Sequence, residues 1–194
     1  MTDISLVAAD PAERHRRVAG AFSDRVRGTT DWSARTPVDG WTARDVVRHL
    51  VEWFPGFLAS GSDARLPTGP PVDEDPVAAW QVHADGVQAV LDDPASADRE
   101  FSHQHTGTMP LTMAVDRFYT SDVFMHTWDL ARATGQAEKL DAGLCAQLLS
   151  GMEPIEELLR SSGQYGARVD VAADADVQAR LLGFIGRDPG WGRH

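Results

Sequence analysis

Residues 110–135, PLTMAVDRFYTSDVFMHTWDLARATG, decide the fold, because this stretch reads as one long buried helix. At 3.6 residues per turn, Val115, Phe118, Tyr119, Val123, Met125, Leu130 and Ala133 form a broad apolar arc, with Asp122, His126 and Asp129 near its middle. Asp116, Thr120, Thr127, Ala131 and Thr134 fill the other side, which is therefore expected to face solvent. Pro110 suits a first helical turn and Gly135 a stop. An unpartnered carboxylate in a core costs about 3 kcal/mol or more, so Asp122 requires a partner. A metal ion is the simplest one.

Working outward from this helix, the upstream chain carries three more helical patterns. Asp10-Pro11-Ala12-Glu13 opens the first, with a core stripe of Val18, Phe22 and Val26, and Gly28 ends it. Its Arg14, Arg16, Arg17, Arg25 and Arg27 read as a solvated face. In WTARDVVRHLVEWFPGFLASG (41–61), Thr42 is the N-cap of the second helix and Asp45 its N3 residue. Pro55 is expected to kink that helix or end a segment. His49 lies at the edge of its apolar side, and taken alone such a histidine more often pairs on the surface with a carboxylate such as Asp45 or Glu52. After a Pro- and Gly-rich loop, Asp75-Pro76 starts a third helix that reaches Asp92, and His83 within it has no companion at metal spacing.

Residues 93–109 read as irregular, with His103 and His105 as secondary candidates on a solvated loop. Downstream, Asp141 caps a helix over AGLCAQLLSGMEPIEELLRSSG (142–163) that Pro154 interrupts, and Cys145 sits among its apolar residues as a small core side chain. The tail reads as an extended piece with Val169 and Val171, then a short helix capped by Asp174 and stopped at Gly186.

The whole is an all-α chain. Its 194 residues, 42% hydrophobic and 24% charged, suffice for one core, so residues 1–194 are expected to form a single domain, a bundle over about 8–162 and a C-terminal extension over about 163–194. A net charge of −11 disfavours nucleic acid and anionic membranes as partners and leaves a small-molecule substrate, with a homodimer as an admissible assembly. One cysteine forms no intrachain disulfide, MTDISLVAADPAERH has no leader pattern, and no apolar run reaches membrane-spanning length. A cytoplasmic setting is expected.

The chain has no glycine-rich nucleotide loop, G-x-S-x-G elbow, paired cysteines or H-E-x-x-H. Asp122-x-x-x-His126 remains, and that spacing puts two side chains on adjacent turns of one helix face, about 6 Å apart at Cβ. Adding His49 gives two imidazoles and a carboxylate, a set suited to Zn²⁺ or Ni²⁺ with positions left open for water or substrate. A di-iron centre would need two E-x-x-H elements, which are not present.

WTARDVVRHLVEW, SDVFMHTWDLARATG and LLGFIGRDPGW resemble the DinB-like, mycothiol-dependent maleylpyruvate isomerase superfamily, and within it the short members described as metal-binding. The resemblance implies a four-helix bundle with one added helix, and a divalent metal, zinc or nickel, on His49, Asp122 and His126. It also implies a low-molecular-weight thiol such as mycothiol as cosubstrate, in an S-transfer or isomerisation. The isomerase carries glutamate where this chain has Asp122, and its separate C-terminal domain is reduced here to a short tail. What carries over is therefore the metal and thiol chemistry rather than that one isomerisation. Asp129 reads either as acceptor for the ring N–H of His126, one turn away, or as a structural residue. Trp53 and Trp128 are expected to pack, and Arg132 to form a salt bridge. A module that binds metal or a small ligand without catalysis, and a purely structural hydrogen-bond cluster, are the competing readings.

Overall fold

Helix α1 (Pro11–Gly28) begins where the sequence places it, because the Asp10 carboxylate accepts the Glu13 N–H at 2.9 Å and Pro11 needs no partner for an N–H it lacks. It is the first helix of a computed structural model in which residues 5–161 and 163–192 are described. Helix α2 (Ala43–Gly61) starts with a reciprocal capping box between Thr42 and Asp45 and runs through Pro55 without ending there. Helix α3 (Pro76–Asp92) starts at Asp75, whose carboxylate accepts the Ala78 N–H at 2.9 Å.

Residues 93–109 depart from the irregular segment expected. A short 3₁₀ turn over Pro94–Ala97 leads into an antiparallel hairpin, β1 (Glu100–His103) paired with β2 (Gly107–Pro110). Four-residue strands are too short to display an alternating pattern, which is why periodicity missed them. Phe101 anchors the hairpin, fully buried with its ring 4.8 Å from that of Phe57. The approach needs glycine at 61, where a Cβ would stand 2.5 Å from the Phe101 ring. The described residues are thus mostly helical with one small two-stranded sheet.

The central stretch forms the long helix expected, but not in one register. Helix α4 (Leu111–Ala114) passes into a π-helical turn over Val115–Thr120 and then into α5 (Ser121–Ala133). Wider i→i+5 bonding shifts the residues before the turn relative to those after it, so a single 3.6-residue wheel does not describe them. Most of the side expected to face solvent is buried as well: Asp116, Thr120, Thr127 and Ala131 are covered, because α1 packs along both the π-turn and α5. Small side chains let α1 approach, and the polar atoms find partners. Thr127 Oγ1 donates to the Val123 carbonyl at 2.8 Å, Thr120 Oγ1 bonds His15 Nδ1 at 2.9 Å, and Asp116 forms an ion pair with Arg14. Arg14 therefore belongs to a helix interface, whereas Arg16 and Arg27 stay in exposed ion pairs with Glu13, Asp92 and Asp24.

Helices α1 and α2 each pack against both α3 and α5. Phe22, Leu50, Phe54, Trp80, Tyr119 and Leu130 fill the space between them. Helix α6 (Ala142–Met152) starts at Asp141, a 3₁₀ turn over Glu153–Ile155 marks Pro154, and α7 (Glu156–Ser161) follows. Cys145 is buried as expected. Helix α8 (Val177–Phe184) packs on α6 and is capped by Asp176 rather than Asp174, its carboxylate accepting the Ala179 N–H at 2.8 Å. The run Asp174-Ala175-Asp176 offered two similar caps, and only the backbone path chooses between them. The boundary expected near 162 and residues 1–4 lie outside the described residues. Among the described residues no helix is long and apolar enough to cross a membrane.

Candidate metal centre

The capping box at Thr42 fixes the start of α2 and so the turn that carries His49, while the four-residue spacing on α5 stacks Asp122 and His126. The packing of α2 on α5 brings the three together. His49 Nε2 lies 3.0 Å from Asp122 Oδ2, and His126 Nε2 lies 3.5 Å from Asp122 Oδ1. One ligand atom from each residue lies within 4.8 Å of the others, and among the described residues no other group of His, Cys, Asp and Glu has this geometry. Side-chain exposure rises from 7% at His126 through 20% at Asp122 to 32% at His49, so the cluster is closed at one end and open at the other. His49 does pair with a carboxylate, but with Asp122 of α5 rather than with a neighbour on its own helix, where Asp45 is engaged by Thr42 and Arg48.

Protonation follows from the neighbours. Burial pushes the Asp122 carboxyl up, but the charges of His126 and His49 and the Trp53 N–H outweigh it and hold the group below its ordinary value. Asp129 behaves alike: burial raises it, and the His126 hydrogen bond together with Arg187 brings it net down. Both are carboxylates at neutral pH. His126 Nδ1 lies 2.8 Å from Asp129 Oδ2, so when His126 is neutral, as ligation requires, it donates Nδ1–H there and turns its Nε2 lone pair toward Asp122. A lone pair and a carboxylate oxygen then face each other at 3.5 Å with no proton between them. That arrangement suits a cation. His49 bonds the other Asp122 oxygen through Nε2, and to ligate an ion through that nitrogen it would have to carry no proton there.

Aromatic rings wall the cluster. Trp41 stacks on His126 with centroids 5.6 Å apart and lies 5.1 Å from the His49 ring. Trp53, expected only to pack, also donates its indole N–H to Asp122 Oδ2 at 3.0 Å; it stands four residues after His49 on the same face of α2. Trp128 packs, 1% exposed, and Arg132 forms its salt bridge with Glu138. His103 lies on β1 and His105 in the hairpin turn, both outside the cluster, and His83 is buried elsewhere in the core.

Comparison with known proteins identifies the domain that carries this cluster. The family model described as "Mycothiol maleylpyruvate isomerase N-terminal domain" matches residues 12–131. The chain belongs to that family. Two uncharacterized Mycobacterium tuberculosis proteins, from two strains, are each 31% identical to it over 144 residues, which cover 73% of this chain and 76% of theirs. No solved structure matches.

His49, Asp122, His126 and Asp129 all fall inside the mycothiol maleylpyruvate isomerase N-terminal domain, yet two groups beside the site come from beyond it. Arg187 donates to Asp129 through Nε at 3.0 Å and through a terminal nitrogen at 3.2 Å. Gly186, at φ +84°, turns the chain just before it, and a Cβ there would stand 2.9 Å from the Gly166 backbone. Next to Gly166, Tyr165 senses the centre electrically: burial and then the Asp122 charge push its phenol up to about 12. The sequence held one clue to Arg187, since a buried Asp129 needs more than a neutral histidine. Asp129→Asn is expected to weaken divalent-metal binding by about 10–100-fold, the usual effect of losing the acceptor behind a histidine ligand. Competition against a chromophoric chelator measures it, and an unchanged affinity would remove Asp129 from the site.

Proposed function

We propose that this protein is a divalent-metal-dependent enzyme that uses a low-molecular-weight thiol, such as mycothiol, in a transfer or isomerisation on a small-molecule substrate. The fold proposed is a single DinB-like domain, a four-helix bundle with an additional helix and a short C-terminal extension. His49, Asp122 and His126 hold the ion, zinc or nickel, and Asp129 orients His126. The reading rests on one observation above all: donor atoms from two helices come within 4.8 Å of one another in a cluster open at its His49 end. Two imidazoles and one carboxylate leave coordination positions free, as catalytic rather than structural sites do.

When bound, the ion would act as a Lewis acid that lowers the pKa of a thiol so that thiolate is present near neutral pH. The chain's own residues bind and orient. Asp122 supplies the negative charge, Asp129 holds the proton on His126 Nδ1, and Trp41 covers both imidazoles, leaving approach through the His49 side. Cys145 offers no nucleophile: it is fully buried, and burial, then Asp141 and Asp176, push its thiol up to about 12. The proposal sets the protein in the cytoplasm, acting without nucleic acid or membrane, as a monomer or homodimer.

The test is turnover of a panel of electrophiles with small thiols, using protein of measured metal content. Activity should require both metal and thiol, and Cys145→Ser should retain it. Activity lost in Cys145→Ser with fold and metal intact would make Cys145 the nucleophile. Metal or thiol binding without turnover across the panel would favour the non-catalytic module instead.

A further inference from the structure

Behind the metal-ligating face, a second polar cluster lies wholly inside the core. His15 of α1, His83 of α3 and Tyr119 of the π-turn are 0%, 3% and 0% exposed. The Tyr119 ring centroid is 5.8 Å from that of His15 and 5.3 Å from that of His83. His15 Nε2, His83 Nε2 and the Tyr119 hydroxyl have no hydrogen-bond partner among the described residues. Three orphaned polar atoms from three elements, gathered around one ring, are too costly to leave dry.

We propose that His15, His83 and Tyr119 enclose one buried water molecule that joins α1, α3 and the π-turn. Water suits the chemistry of the three groups. A neutral imidazole nitrogen is either a donor or an acceptor, a phenol is both, and water can answer each with its two donors and two acceptors. Burial keeps both imidazoles neutral, depressing His83 to about 4 and, with the neighbouring His83, His15 to about 3. A divalent cation suits these three groups badly. Its only anionisable ligand would be Tyr119, whose phenol is pushed well above its ordinary value by burial and then by the Asp122 charge. The π-turn explains how the cluster arises: it sets Tyr119 and Thr120 side by side toward the core, and Thr120 holds His15 by its Nδ1 at 2.9 Å.

A crystal structure of the metal-loaded protein at a resolution that shows ordered solvent tests the proposal. The expected result is one peak within hydrogen-bonding distance, about 2.6–3.2 Å, of at least two of the three atoms. A direct His–Tyr hydrogen bond with no peak between, or three atoms turned to separate neighbours, would overturn it. An anomalous metal signal at the peak, with a second equivalent of metal that survives in His126→Ala, would overturn it in favour of a second metal site.

Discussion

His126→Ala is expected to lose divalent metal by more than about 100-fold in affinity, since removing a ligand should exceed the ~10–100-fold attached to groups that only orient one. The fold should survive. Asp129 keeps Arg187 as a charged partner, and the apolar residues on either side, Met125, Trp128 and Leu130, stay packed. Metal content after gel filtration, read beside circular dichroism, checks both halves. A purified variant with wild-type stoichiometry and an intact spectrum would show that His126 is not a ligand. Acid should release the metal from the wild type in the same way, because imidazole ligates only when neutral.

The second large effect is a loss of stability on mild acidification that does not depend on metal. His15 and His83 titrate at about 3 and about 4 in the folded protein, against 6.5 as the ordinary value. A folded pKa below the unfolded one means that the unfolded chain takes up protons first as pH falls. The two histidines cost nothing above pH 6.5 and destabilise progressively below it, until the folded groups themselves protonate near 4 and 3. Two extra protons on the unfolded chain amount to about 3 kcal/mol between pH 6.5 and about pH 5. The depressed carboxyls of Asp122 and Asp129 add a loss of the same sign only at lower pH, while the Asp116 carboxyl, raised by burial despite Arg14, acts in the opposite sense. Urea unfolding of chelator-treated protein across this range measures the slope. It should flatten in His15→Gln/His83→Gln; an equally steep slope in that variant would assign the acid sensitivity to other groups.

The central helix was legible in residues 110–135 because a run of apolar positions that long, bounded by proline and glycine, has few alternatives. Helix starts at Asp10, Thr42, Asp75 and Asp141 were legible for a local reason, since a cap bonds within three residues of itself. Asp122 and His126 could be paired from their spacing alone, and His49 from its place on an apolar edge together with a family pattern.

Other features had no local signature. The π-turn depends on how α1 presses on the helix, and the same contact buries Asp116, Thr120 and Thr127, whose polarity had suggested solvent. Short strands such as β1 and β2 take their pairing from each other and their anchoring from Phe57 and Gly61, far upstream. The same holds around the candidate metal centre. Sequence by itself determined which side chains have metal-binding chemistry and on which helices they stand. Only the tertiary structure decided that Arg187, 58 residues after Asp129, neutralises that carboxylate, and that Tyr165 stands within reach of the Asp122 charge. The reason is physical: caps and helical faces are written in neighbours along the chain, whereas a buried charge takes its partner from whichever segment packing brings beside it.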